Sequence, residues 1–243
     1  MKTHLVFKTI AFDSQALTAS GPMTYFQESE NAHSESVRDV NEAPIVRWLF
    51  SQDALRSLIV GELTDHDSCA VHGLNVRDPV IRKRHNKPGD VDILLCSPEN
   101  PEHTIAIETK RVKVLLTGDG SQKVNKLRDL AEGIIQANGL QSLGFWKSYL
   151  MAIVLIDARE RRSANTLLKY QIQEETRPIY EIPLESTLHR DVGVAVVEIV
   201  QPTGKHFNEQ GSVGICVDKK ASELEQPSHL TERISNWLKQ RSG

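Results

Sequence analysis

Residues 89–110, GDVDILLCSPENPEHTIAIETK, hold the pattern that decides the fold, because two apolar segments flank a polar turn. The segments Val91–Cys96 and Thr104–Leu116 are rich in the aliphatic and β-branched residues that favour strands. The intervening SPENPEH carries the Ser, Pro and Asn residues that are typical of turns. The stretch therefore predicts a β-hairpin, and a turn centred on Asn100 sets its register.

Charged side chains interrupt the apolar pattern of this hairpin and are expected to share one site. The register places Asp92 opposite Glu108, and Lys110 projects from the same face as Glu108 because alternate residues of a strand share a face. Directly opposed residues have Cβ atoms about 5 Å apart, so the two carboxylates can reach one cation. A register shifted by two residues would bring Asp90 to this place instead, and the sequence leaves that alternative open.

Magnesium is the cation that suits a pair of carboxylates in this arrangement. Two carboxylates this close repel each other unless a positive charge lies between them. Mg²⁺ takes oxygen ligands, keeps several waters and often uses only one or two protein carboxylates beside phosphate oxygens. The pair formed by Asp92 and Glu108 therefore predicts a Mg²⁺ site.

The flanking segments predict an α/β fold. Apolar residues recur every three or four positions over residues 40–63, which predicts two helices broken near Ser51. The same spacing predicts a helix over Gln122–Leu140, and the continuous apolar run Tyr149–Ile156 predicts a buried central strand. The residues expected on the inward side of the helix over Gln122–Leu140 are Val124, Leu127, Ala131, Ile134 and Ile135.

The segments GDVDILL (89–95) and IAIETK (105–110) resemble the PD-(D/E)xK nuclease superfamily. In that superfamily an Asp that opens one strand and a Glu-x-Lys on the neighbouring strand form the active site. The resemblance covers roughly residues 40–157. It implies a restriction-endonuclease-like αβββαβ core with a central mixed sheet flanked by helices, extended here by a C-terminal β-hairpin and helix.

The expected organisation is one globular domain with three parts. These are an N-terminal strand and loop (1–36), the nuclease-like core (37–160) and a C-terminal extension packed on the core (161–243). The segments Val192–Val200 and Ser212–Val217, which are rich in valine and isoleucine, predict the late hairpin, and Leu230–Lys239 predicts a terminal amphipathic helix.

The resemblance implies a Mg²⁺-dependent hydrolysis of phosphodiester bonds in nucleic acid, with Mn²⁺ as a substitute. Asp92 and Glu108 are then the metal ligands, and Lys110 orients or activates the attacking water. The same three residues are the expected catalytic set of a DNA endonuclease. The runner-up is a catalytically inactive module of the same fold that binds nucleic acid or a partner protein.

Many members of the superfamily add a Glu from the helix before the Asp strand. Glu42, in the first turn of the first predicted helix, is the best match, while Glu35 and Glu62 compete with it. Asp90 remains the alternative to Asp92 as a metal ligand. The expected metal ligands are therefore Asp92, Glu108, Glu42 and Asp90.

The distribution of charge favours nucleic acid as a partner, although the formal net charge is −3. Residues 77–128 carry 11 Lys or Arg against 7 Asp or Glu, so basic residues surround the motif. DNA is favoured over RNA, and a homodimer stays open. The candidate nucleic-acid contacts are Arg82, Lys83, Arg84, Lys87, Lys123, Lys126 and Gln136.

Several classes of protein are not expected from this composition. No apolar run approaches the ~18 residues of a membrane span, so no membrane partner is predicted. The start of the sequence lacks the pattern of a signal peptide, which predicts a cytoplasmic protein. With three cysteines a disulfide framework is disfavoured, and the spacing of His66, Cys69 and His72 does not favour zinc.

Overall fold

The computed structural model shows an α/β protein with a central, open, mixed β-sheet flanked by helices. It describes residues 8–13, 37–64, 71–81, 90–158, 160, 167–184, 187–201 and 210–242. The strands are β1 (Lys8–Asp13), β2 (Val71–Val76), β3 (Val91–Cys96), β4 (Ile105–Leu116), β5 (Gln122–Asn125), β6 (Lys147–Asp157), β7 (Gly193–Gln201) and β8 (Gln210–Lys219). The order across the sheet is β1-β8-β7-β6-β4-β3-β2, and β5 pairs with β4.

Helices cover both faces of this sheet. They are α1 (Glu42–Ser51), α2 (Asp53–Leu63), α3 (Leu127–Leu143), α4 (Arg177–Glu181) and α5 (Ser228–Ser242). The apolar sides of α1 and α2 pack on one face, while α3, α4 and α5 pack on the other. The predicted break near Ser51 is confirmed. In the described part of the chain no helix is long and apolar enough to cross a membrane.

Strand β6 lies at the centre of the sheet, as its apolar run predicts. It pairs in parallel with β4 on one side and with β7 on the other, and every residue from Lys147 to Asp157 is buried. A strand that is covered on both faces needs a continuous apolar sequence, and here that sequence is YLMAIVLI.

The register of the β3–β4 hairpin is the predicted one. Ile93 pairs with Ile107, Leu94 with Ala106 and Leu95 with Ile105, which corresponds to a turn centred on Asn100. The pairing ends there, before it reaches Asp92 and Glu108. Strand β5 joins the same edge of β4 only from Lys113 onward.

The late hairpin is confirmed and is part of the central sheet. Strand β7 continues the sheet from β6 in parallel, and β8 returns antiparallel to β7. Strand β1 then pairs with β8 from Lys8 to Asp13. The C-terminal part of the chain therefore widens the sheet that carries β4.

The helix predicted over Gln122–Leu140 needs correction. Residues Gln122–Asn125 form β5, and Lys126, which has a left-handed φ of 75°, separates this strand from α3. The inward side is also rotated, since Ile135 is 63% exposed. The buried residues of α3 are Leu130, Gly133, Ile134, Ala137 and Leu140, so a glycine occupies a position on the inward side that an apolar pattern does not count.

A buried polar network ties the segment after β6 to the late hairpin. The Lys169 ammonium donates to Asp218 Oδ1 at 2.6 Å, and the Cys216 thiol donates to the same oxygen at 3.1 Å. The Tyr180 hydroxyl donates to Glu198 Oε1, which also accepts from the Lys169 backbone N–H at 3.0 Å. Burial raises the pKa of Glu198 to about 7.

We expect Lys169→Met to destabilise the protein by about 3 kcal/mol, because it leaves the Asp218 carboxylate buried without its cation. The side chain of Asp218 is only 3% exposed. Urea denaturation measures the free energy of unfolding. The double variant Lys169→Met/Asp218→Leu is expected to be more stable than the single variant, and an equal or larger loss would contradict a role for the ion pair.

Candidate active site

Four of the predicted residues, Glu42, Asp92, Glu108 and Lys110, meet at a gap along one edge of β4. In the described structure this edge pairs with β3 up to Ile107 and with β5 from Lys113. Between these points the Thr109 N–H donates to Asp92 Oδ2 at 2.7 Å, and the Arg111 N–H donates to Glu42 Oε2 at 2.8 Å. Carboxylates thus accept the two backbone hydrogen bonds that a neighbouring strand would otherwise take.

Asp92 is held in this gap by Thr109. Its Oδ2 accepts from the Thr109 hydroxyl at 3.0 Å as well as from the backbone N–H. Val91 and Ile93 on either side are fully buried, which fixes the direction of the Asp92 side chain. Burial raises the pKa of Asp92, although the hydrogen bonds from Thr109 and the charge of Lys110 oppose this.

Glu42 reaches the gap from the first turn of α1, whereas the other site residues lie on β3 and β4. The Arg111 guanidinium donates to the Val40 carbonyl and, at 3.4 Å, to Asn41 Oδ1, so it ties the start of α1 to β4. Burial raises the pKa of Glu42, and the nearby charge of Asp92 raises it further. The sequence predicted Glu42 as a site residue, but it gave no sign of the contacts between the start of α1 and Arg111.

The two other candidates for this helix residue are placed differently. Glu62 lies in the last turn of α2, at the opposite end of the helical pair from Glu42. Glu35 lies outside the described residues. Glu42 is therefore the glutamate that the described structure brings to β4.

Glu108 and Lys110 form a close, buried ion pair on β4. Lys110 Nζ lies 2.5 Å from Glu108 Oε1, and the side chains are 14% and 2% exposed, respectively. Burial raises the pKa of Glu108 to about 8, and the charge of Asp92 adds to the rise. Burial alone would lower the pKa of Lys110, but the attraction of Glu108, Glu42 and Asp92 is larger, so this pKa is raised and the ammonium stays protonated.

Helix α3 passes directly over the Lys110 side chain because residue 133 is glycine. A Cβ atom at Gly133 would lie 2.5 Å from Lys110 Cγ and 2.9 Å from Leu150 Cδ1, which is closer than atoms can pack. Gln136, a predicted nucleic-acid contact, is half-buried about one turn further along this helix. The space that Lys110 occupies therefore depends on the missing side chain at Gly133.

Other predicted residues lie beside this cluster or outside the described structure. Asp90 pairs with Arg77 across 3.4 Å, so Asp92 is the one of the two that reaches the gap. Lys126 pairs with Asp129 across 3.1 Å, and Lys123 is exposed on β5. Four predicted contacts lie outside the described residues: Arg82, Lys83, Arg84 and Lys87.

Sequence reasoning missed three residues that shape the site. Thr109 holds Asp92, Arg111 holds the start of α1, and Gly133 makes room for Lys110. Only Gly133 carried a usable signal, since a glycine inside a helix costs about 1 kcal/mol relative to alanine and indicates a packing reason. The other two act through contacts between distant parts of the chain.

The charges in the gap set the limits on metal binding. Three carboxylates, of Glu42, Asp92 and Glu108, face one ammonium, and the pKa of each carboxyl is raised. Among the described residues no group of three or more His, Cys, Asp and Glu side chains is arranged to hold a metal ion. A cation here would therefore bind to one or two of these carboxylates, which is the protein share that Mg²⁺ commonly uses.

We expect the free energy of unfolding to depend on pH through Glu108. Its pKa rises from 4.5 to about 8 on folding, so the folded state holds the proton more tightly than the unfolded chain does. The stability of the wild type relative to Glu108→Gln should be highest below pH 4.5 and should fall as the pH rises through about 8. Urea titrations in EDTA at stepped pH measure this, and parallel curves for the two proteins would contradict it.

Comparisons with known proteins add no family and no fold neighbour. No protein-family model matches this chain, and comparisons with curated proteins and with solved structures give no match. A functional argument therefore depends on the motif in the sequence and on the side chains around the gap in β4.

Proposed function

We propose that this protein is a Mg²⁺-dependent nuclease that hydrolyses phosphodiester bonds in DNA, as an endonuclease of the PD-(D/E)xK type. The observation that carries the proposal is the Glu108–Lys110 pair beside Asp92 at the edge of β4. Buried ionisable groups with perturbed pKa values are common in active sites, because catalytic groups need pKa values matched to their roles. The motif that resembles the nuclease superfamily consists of these same residues.

The donor atoms in the gap fit a hard cation. They are carboxylate oxygens only, and one oxygen each of Asp92 and Glu108 is not used in the hydrogen bonds to Thr109 and Lys110. These two residues would hold the ion, and Glu108, whose pKa is about 8, would release its proton when the ion binds. Glu42 is close enough to add to the rise in the pKa of Glu108. When bound, Mg²⁺ supplies Lewis-acid stabilisation of the charge that develops on the phosphate.

The protonation state of Lys110 determines its role in the proposed reaction. Because its pKa is raised, the side chain carries its proton at Nζ at neutral pH and donates hydrogen bonds. A donor in this position orients water or stabilises negative charge on a phosphate oxygen, as fixed cationic donors do in other active sites. It does not serve as a base while it remains paired with Glu108.

A specific observation also favours the inactive binding module. One oxygen of each carboxylate is committed to a protein donor: Asp92 to Thr109, Glu42 to Arg111 and Glu108 to Lys110. Contacts of this kind also occur in a purely structural role, and here they hold α1, β3 and β4 together. The two candidates differ in whether the protein turns over DNA and in whether a metal stabilises it.

The first test of the proposal is a metal-dependent change in Tm. Mg²⁺ or Mn²⁺ at 100 times its Kd should stabilise the folded protein by about 2.7 kcal/mol, because it binds the folded state alone. Asp92→Asn and Glu108→Gln should lose the shift. Glu102→Gln, at an exposed site in the β3–β4 turn, is the matched control and should keep it. Equal shifts in all variants would place any metal elsewhere.

The second test separates the enzyme from the binding module. Lys110→Ala should retain metal-dependent DNA binding while it loses about 10²–10³-fold in cleavage rate, as expected when one fixed donor to a developing negative charge is removed. Asp92→Ala and Glu108→Ala should lose both properties, and Lys110→Arg should not restore cleavage because a guanidinium has a different donor geometry. If the wild type cleaves neither DNA nor RNA with either metal, and all variants bind as it does, the nuclease proposal is wrong.

A further inference from the structure

The β4–β5 hairpin has one apolar face and one basic face. Alternate residues share a face, and the pairing of Val114 with Val124 and of Leu116 with Gln122 puts these four side chains on the face that α3 covers. The opposite face carries Arg111, Lys113 and Lys123, which together we name the basic face. The 113–125 and 115–123 pairs bring its two lysines onto neighbouring diagonal positions.

The basic face has little acidic compensation. Lys113 is half-buried, Lys123 is exposed, and in the described part of the chain neither forms an ion pair with Asp or Glu. The Arg111 guanidinium contacts the neutral oxygens of Val40 and Asn41. Burial lowers the pKa of Lys113, and the charges of Arg111, Arg38 and Lys126 lower it further, against one opposing charge from Asp39.

This face is continuous with the gap in β4. The Arg111 N–H binds Glu42, so the basic face begins at the border of the site. Lys113 is three residues beyond Lys110, so the two side chains project from opposite faces of β4. The gap at the strand edge is where the two sides meet, because Glu42 reaches it from α1 and lies near the charge of Lys110. The two positions are about 10 Å apart along the strand, and one strand of duplex DNA places a phosphate about every 3.4 Å along its axis, so a backbone that crosses the edge can reach both within a few phosphates.

We propose that the basic face binds the phosphate backbone of duplex DNA a few nucleotides from the phosphodiester at the Asp92–Glu108–Lys110 site. The inference rests on the proposed function, which supplies the reacting phosphate, and adds the direction in which the duplex runs. DNA leaves the gap along the C-terminal half of β4, toward β5. Lys113 is the central contact, because it lies between Arg111 and Lys123 on this face.

The experiment compares wild type, Lys113→Gln/Lys123→Gln and the control Arg190→Gln/Lys239→Gln. The control removes the same charge from exposed positions before β7 and on α5. Binding of a short fluorescent DNA duplex is followed by anisotropy over a salt series in EDTA, so that no cleavage is needed. The slope of log Kobs against log salt should fall by up to about 1.8 in the first variant, at ~0.9 per phosphate contact, and should not change in the control.

The outcomes separate this inference from the proposed function. An unchanged slope in Lys113→Gln/Lys123→Gln overturns the inference, even if the wild type cleaves DNA with Mg²⁺. The expected loss of slope supports it, even if no protein in the series cleaves. No binding of duplex by the wild type, or a loss of slope with RNA but not with duplex DNA, overturns the assignment to DNA.

Discussion

Strand β4 pairs with β6 in parallel from Ile105 to Leu115, and this ladder organises the molecule around it. Because β6 is buried along its whole length, the pair forms a fixed centre to which β7 and β8 attach on one side and β3 and β2 on the other. The edge of β4 that faces away from β6 is less complete, since β3 and β5 pair only with its two ends. The charged side chains collect where that second partner is missing.

Burying carboxylates is unfavourable unless they accept hydrogen bonds or meet a positive charge. Here the unpaired backbone N–H groups of Thr109 and Arg111 need acceptors, and Asp92 and Glu42 supply them. The same contacts thus give the unpaired backbone N–H groups their acceptors and give the buried carboxylates their hydrogen-bond donors. Glu108 accepts instead from the Lys110 ammonium, and burial together with the charge of Asp92 outweighs this contact, so its pKa rises to about 8.

Local pattern was sufficient for the β3–β4 register, since a short turn with Pro and Asn leaves few ways to pair Ile93 with Ile107. It was not sufficient for β5, because a four-residue strand beside a helix is too short to show a period. The contact between Arg111 and Glu42 spans 69 positions of the chain, and single-sequence periodicity contains no information on such separations. The site residues could therefore be named in advance, while the groups that hold them could not.

The close passage of α3 over β4 has an evolutionary consequence. A helix with alanine in place of Gly133 would gain about 1 kcal/mol in intrinsic preference, but its methyl group would meet the stem of Lys110. The two positions are therefore expected to vary together among related sequences. A relative that keeps glycine at 133 retains the space for the ammonium group, whereas a side chain there would mark a lineage in which Lys110 has moved or been lost.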